Sequence, residues 1–155
     1  LINIDEDAKS LYDKIIELGK KMILKNLKLI NQGKIIRKKQ DPTKFIEYWN
    51  KRTIEDGKIN WKYLSNHIYK LVRATTKPYP GAFTFFQNKK IKIWKALLTT
   101  KMSSKPGEIL KINDLGVFVG TGDKMLIIQD VSFENDIQIK ANKLFSENDI
   151  GYILE

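Results

Sequence analysis

Apolar residues recur at helical spacing near the start of the chain: Ala8, Leu11, Tyr12, Ile15, Ile16, Met22, Ile23, Leu27 and Ile30 fall on one stripe. That period predicts an amphipathic helix over about Glu6 to Gln32, with Asp5 as N-cap and Glu6 and Asp7 complementing the positive helix end. Gly33 is placed to terminate it. Gly19 interrupts the stripe, which predicts close packing of another backbone there. The apolar face needs a partner surface. Ahead of it, Leu1 to Ile4 reads as a short buried strand cut at its start, so the chain reads as a piece of a longer protein.

Residues 34 to 60 look irregular: an extended piece from Lys34 to Lys38, then Pro42, then "FIEYWNKRTIEDGKIN", with Asp56-Gly57 as a turn. A second helix is expected next, with Asn60 as its cap and Trp61, Leu64, Ile68, Leu71 and Val72 on one face. Pro78 bars its continuation. After Gly81 the period falls to two. "AFTFF" and "KIKIWKALL" read as a hairpin around Gln87-Asn88, and Pro106-Gly107 punctuates. "EILKI" follows, Asn113-Asp114 turns, and "LGVFVG" and "KMLIIQDV" form another hairpin around Gly120 to Asp123. A last helix is expected over about Ile137 to Ser146, then a short strand from Gly151 to Leu154. Several short strands with one late helix point to an α+β chain ending in a small barrel. No internal repeat or low-complexity linker interrupts it.

At 155 residues the chain suits one domain, or a small domain plus part of another. Its 42% hydrophobic content argues for a packed core and against disorder. No apolar run approaches the roughly 18 residues a membrane span needs. Asp5, Glu6 and Asp7 stand where a signal peptide would be basic and then apolar. No membrane partner is expected, and a cytoplasmic location is the default. The absence of cysteine excludes disulfides, thiolate catalysis and cysteine-bound zinc, and a single histidine, His67, excludes an imidazole-rich metal site.

The net charge of +10 admits two readings, a solvated surface or a site for polyanions such as RNA or a nucleotide diphosphate. Only Arg37, Arg52 and Arg73 are arginine, the residue whose planar fork suits phosphate and base recognition. "GVFVGTGD" superficially resembles a phosphate loop, but it lacks the Lys-Ser/Thr pair and lies between strands, so a hairpin turn is the better reading. His67 has no carboxylate at catalytic spacing and reads as structural or solvated. Glu6-Asp7 and Glu55-Asp56 have local explanations at a helix start and a turn. Trp49, Trp61 and Trp94 could stack on bases, but they fall on separate elements, and core packing is expected for at least two. Met22, Met102 and Met125 are isolated. No nucleophile, metal cluster or acid-base pair emerges, so the chain reads as a substrate-facing or binding portion.

The stretch "KLVRATTKPYPGAFTFF" stands out. Pro78 and Pro80 restrict the backbone around Tyr79, and Gly81 lets the chain turn. It is either a rigid connector between helix and strand or a stiff loop presenting Arg73 and Tyr79 to a ligand. In the second reading Arg73, in the last helical turn, anchors the loop through backbone carbonyls or a carboxylate.

Three blocks in order, "DEDAKSLYDKIIELGKKMILKNLKLINQGKIIRKKQ", "YWNKRTIEDGKINW" and "IYKLVRATTKPYPGAFTFFQNKKIKIWKA", together resemble the later half of the formyltransferase family over nearly the whole chain. "KPGEILKI" and "VFVGTGDKMLII" resemble its C-terminal barrel. Matching positions include Gln40, Arg52, Asp56, Gly57, Trp61, Arg73, Pro78, Tyr79, Pro80, Gly81, Ala82 and Phe83, whereas Lys70 stands where an asparagine is usual. The resemblance implies that residues 1–80 end a Rossmann-like catalytic domain and that residues 81–155 form a small OB-like β-barrel. The family's catalytic Asn, His and Asp lie upstream, so none falls in this chain, and His67 does not match that histidine.

Implied by the resemblance are 10-formyltetrahydrofolate, bound mainly by the upstream half, and an acceptor amine bordered by Arg73, Lys77, Tyr79, Pro80 and Gly81. "NKRTIEDGKINW" resembles the sugar-nucleotide enzymes more than the methionyl-tRNA enzymes, so an amino-sugar nucleotide is the first expected acceptor. Initiator tRNA is the alternative. A stand-alone nucleic-acid-binding barrel is a third reading, and a homodimer is a possible assembly.

Overall fold

In the computed structural model, which describes residues 2–3, 5–44, 47–103, 105–133 and 137–155, the period-two pattern after Gly81 becomes six strands. Gln87 and Asn88 take positive φ of 49° and 62°. That is the geometry of a two-residue hairpin turn whose twist matches its flanking strands. It joins β1 (Ala82–Phe86) to β2 (Lys89–Met102). Ile91 and Ile93 of β2 point inward while Lys90 and Lys92 stay partly exposed, as the alternation requires.

The second hairpin is also where the sequence placed it. β3 (Ile109–Asn113), β4 (Gly116–Gly120) and β5 (Lys124–Ser132) form an antiparallel meander. The strand order is β1-β2-β5-β4-β3, and β6 (Ile139–Lys140) adds to the end of β5. The strands of the sheet pair wholly antiparallel, and its ladder stays open between β1 and β3. The expected closed barrel is not formed by strand pairing. Instead the C-terminal segment reaches both edges. Phe85 and Glu155 exchange backbone hydrogen bonds of 2.8 and 3.0 Å, while the Leu154 N–H donates to the Gly107 carbonyl and the Ile109 N–H to that of Tyr152. The short strand expected at 151–154 is a single bridge, Ile153 with Glu108.

The core lies between one sheet face and α2 (Ser65–Thr75). Ile68 and Val72 of α2 pack with Ile59, Trp61, Ile93, Val117, Leu126, Ile128 and Val131. Each such aliphatic side chain, fully buried, contributes about 1.5–3 kcal/mol. Trp61 and Trp94 are 4% and 6% exposed, and Trp49 is 85% exposed, so two of the three tryptophans belong to the core as expected. The Trp61 indole N–H donates to Thr84 Oγ1 at 2.9 Å, and that hydroxyl donates to the Glu155 carbonyl at 2.7 Å. Two expectations shift here. Asn60 does not cap α2: its side chain accepts from the Lys62 N–H in a local turn, and the helix starts at Ser65. The expected helix over 137–146 shrinks to α3 (Ala141–Leu144), because Ile139 and Lys140 pair with Val131 and Asp130 of β5.

The leading segment through Lys9 belongs to the same compact unit as Thr53–Glu155, and Ser10–Arg52 form a second unit. α1 (Ala8–Asn31) begins two residues later than the pattern proposed. It ends as expected: Gly33 has φ of 65°, its N–H donates to the Ile30 carbonyl, and the Lys34 N–H donates to that of Leu29. That pair of bonds satisfies two of the last helical carbonyls. No residue of α1 is buried, and Ile15, Met22 and Ile23 are exposed. A Cβ at Gly19 would meet nothing within 4 Å, so the close packing expected there is not made by the described residues. Leu1 and Ile4, the ends of the expected leading strand, lie outside those residues, and Ile2 between them is exposed.

Candidate functional site

The last carbonyls of a helix lack intrahelical partners, and at the end of α2 the following loop supplies them. The Tyr79 N–H donates to the Thr76 carbonyl at 3.1 Å and the Gly81 N–H to that of Thr75 at 2.8 Å. Thr76 itself donates to Val72 as the cap. The Lys77–Pro78 peptide bond is cis. The Pro-Tyr-Pro-Gly loop is thus folded back on its own helix, with Pro80 exposed and Tyr79 54% exposed.

Gly81 is required twice over. Its φ of 92° is a glycine conformation, and a Cβ there would lie 3.0 Å from the Trp94 ring. The Trp94 indole N–H donates to Ser132 Oγ at 2.9 Å, and the Lys77 and Lys92 ammonium groups lie 5.4 and 5.8 Å from its ring centroid. From the other side the 3-10 turn Ile54–Gly57 approaches, its start fixed by the Thr53 N–H donating to Asp56 Oδ2 at 2.6 Å. Ile59 N–H then donates to the Phe83 carbonyl, docking this stretch beside β1.

A cleft of about 580 Å³ opens beside the loop. Tyr69, Arg73 and Lys77 line one side, Trp94, Lys95 and Leu97 of β2 another, and Asp5, Asp7 and Lys9 a third. Of the five residues singled out from sequence, Arg73 and Lys77 line this cleft, whereas Tyr79, Pro80 and Gly81 are outside its lining. Arg73 does not bond to its own loop. Its Nε–H donates to the Glu6 carbonyl at 2.8 Å, and Nη2 donates to the same oxygen.

"GTGD" is a hairpin turn, as the sequence reading preferred, and it has a structural task. Asp123 Oδ1 accepts from the Ser65 N–H at 2.7 Å, so it caps the start of α2 from 58 residues away. That backbone hydrogen bond holds the Asp123 carboxyl below its ordinary value of 3.8, against the opposing effect of burial. Nothing local in the sequence marks Asp123 for this. His67 is exposed on α2, with its ring edge-on to Tyr63 at 5.0 Å. Among the described residues no helix is long and apolar enough to cross a membrane.

Residues 51–149 match the model of the formyl transferase C-terminal domain. The chain is 32% identical over 153 residues to a methionyl-tRNA formyltransferase of Alkaliphilus metalliredigens, covering 97% of this chain and 48% of the relative. It is 36% identical over 161 residues to the bifunctional polymyxin resistance protein ArnA of Wigglesworthia glossinidia brevipalpis, covering 95% of this chain and 24% of that one. The chain thus spans about half the length of the first and a quarter of the second. Among solved structures, a HypX variant from Aquifex aeolicus shares the fold with a TM-score of 0.73 at 22% identity, over 92% of this chain and 26% of its own. HypX has also been solved in complex with tetrahydrofolic acid. With the family model of that C-terminal domain matching most of the chain, the chain belongs to the formyltransferase family and corresponds to its C-terminal half.

Proposed function

We propose that the chain is the later part of an enzyme that moves a formyl group from 10-formyltetrahydrofolate to the primary amine of an amino-sugar nucleotide. The amine attacks the formyl carbon, the new C–N bond forms as the bond to the folate nitrogen breaks, and the amine gives up a proton to a base. We assign that base and the oxyanion donors to the upstream half, with the stretch to residue 80 joining it to the terminal β domain of residues 81–155. The observation that carries formyl transfer is the family match over residues 51–149. For the acceptor, support comes from the Arg52-Thr53-x-Glu55-Asp56 form of the docking turn and from the ArnA relative.

We assign 10-formyltetrahydrofolate mainly to the upstream half. Trp94 is buried and its N–H is committed to Ser132, so its indole serves packing. Tyr79, Pro80, Gly81, Arg73 and Lys77 are assigned to the acceptor side. A second reading, methionyl-tRNA as acceptor, is favoured by the identity to methionyl-tRNA formyltransferases. The deciding experiment gives the full-length protein 10-formyltetrahydrofolate with a UDP- or dTDP-amino sugar, or with charged initiator tRNA, and follows tetrahydrofolate release. Turnover with the sugar supports the first reading and turnover only with tRNA the second. No turnover with either overturns both and favours a binding module.

A further inference from the structure

We infer that Arg73 is a positioning residue that clamps the leading segment, residues 5–9, onto α2 and so makes that segment a wall of the cleft. A helix-terminal cation ordinarily serves the carbonyls of its own last turn. Here the Tyr79 and Gly81 amides already serve those of Thr75 and Thr76, which releases the guanidinium for another partner. It takes the Glu6 carbonyl through both Nε–H and Nη2–H, which converge on that one oxygen. Tyr69, one turn earlier on the same helix face, holds the guanidinium with its ring 5.1 Å away.

The segment is shaped to present that carbonyl. The Glu6 N–H donates to the Asn3 carbonyl at 3.2 Å, and the Asn3 N–H donates to Glu6 Oε2 at 2.8 Å, so Asn3 and Glu6 are tied to each other. Asp5, Asp7 and Lys9, on either side of the clamped carbonyl in sequence, line the cleft together with Arg73 and Lys77. The leading segment belongs to the same compact unit as Thr53–Glu155. The Nε and Nη2 donors of Arg73 are therefore committed to shaping the cleft. Lysine cannot replace it, because an ammonium on a flexible stem lacks the fork.

Hydrogen exchange of the full-length protein tests this, comparing wild type with Arg73→Ala, Arg73→Lys and a core control, Ile109→Val. Peptides covering residues 5–9 are expected to lose about tenfold in protection in both Arg73 variants, the scale of one lost charge-assisted hydrogen bond in a local opening. The β1–β2 hairpin keeps its wild-type exchange. Unchanged exchange of residues 5–9 in Arg73→Ala, wild-type protection in Arg73→Lys, or an equal loss in Ile109→Val overturns the clamp. The link to an acceptor cleft rests on the formyltransferase reading, whereas the exchange measurement needs no substrate, so the two fail separately. In the full-length enzyme Arg73→Ala should raise KM for the acceptor and not for the formyl donor; an equal rise in both removes the positioning role.

Discussion

Gly57 and Gly81 meet backbone to backbone: a Cβ built on Gly57 would lie 2.8 Å from the Gly81 carbonyl oxygen. Two turns far apart in sequence are thereby stacked, the Thr53–Asp56 turn on the end of the Pro-Tyr-Pro-Gly loop. Gly57→Ala should destabilise by about 1–3 kcal/mol, because a backbone atom and not a flexible side chain must move. Gly81→Ala adds a positive-φ penalty to a contact with Trp94 and should be at least as damaging. Chemical denaturation of both variants checks this, and wild-type midpoints would show the two backbones are free to separate.

The Trp61–Thr84–Glu155 chain of hydrogen bonds predicts coupling. Trp61→Phe and Thr84→Val should each cost about 0.5–1.5 kcal/mol. The double variant should cost less than the sum, since either change alone already breaks the shared bond. Strict additivity in a double-mutant cycle would contradict that.

Asp123 gives a pH dependence. Its folded pKa lies below 3.8, so its contribution is fully present above the unfolded value of about 4 and is lost as pH falls through the folded value. Asp123→Asn keeps an oxygen acceptor but not the charge. Its stability deficit relative to wild type should be present at pH 7 and should shrink below about pH 4. Urea midpoints from pH 7 to 3 report it; a deficit that stays constant with pH refutes a charged cap.

Tyr79 separates stability from recognition. Its side chain is half exposed, so Tyr79→Ala should change stability by no more than about 0.5 kcal/mol. If the ring borders the acceptor as proposed, the acceptor's specificity constant should fall by about 1–3 kcal/mol, the range for loss of a stacked ring. A drop in melting temperature with unchanged acceptor kinetics would make Pro-Tyr-Pro-Gly a connector only.

α1, both hairpins and the Gly33 stop were legible because each is set by local spacing. The Gln87-Asn88 turn needs only two residues that tolerate positive φ, and the α1 stripe needs only its period. The sequence reading went astray where a distant partner decides. Asn60 looked like a cap, yet Asp123 caps α2 from another hairpin. Ile139 and Lys140 fitted a helix but pair with β5. Arg73 was legible as a residue that binds backbone carbonyls, but not which one, because Glu6 lies 67 positions away. The loop was recognisable as a block, while the leading segment read locally only as a helix start, and its place in the cleft wall depends on α2 and β2.

The C-terminal segment that touches both open edges has a kinetic consequence. Its bond from Thr84 to Glu155 joins positions 71 residues apart, and a loop of that length closes late because its entropy must be overcome before the contact rewards it. The hairpins can form first. Weakening the contact at Phe85 or Leu154 should therefore leave the folding rate nearly unchanged and show up as faster unfolding. The segment acts as a latch whose loss shortens the lifetime of the folded sheet and leaves the β1 and β3 edges open to pairing with other chains.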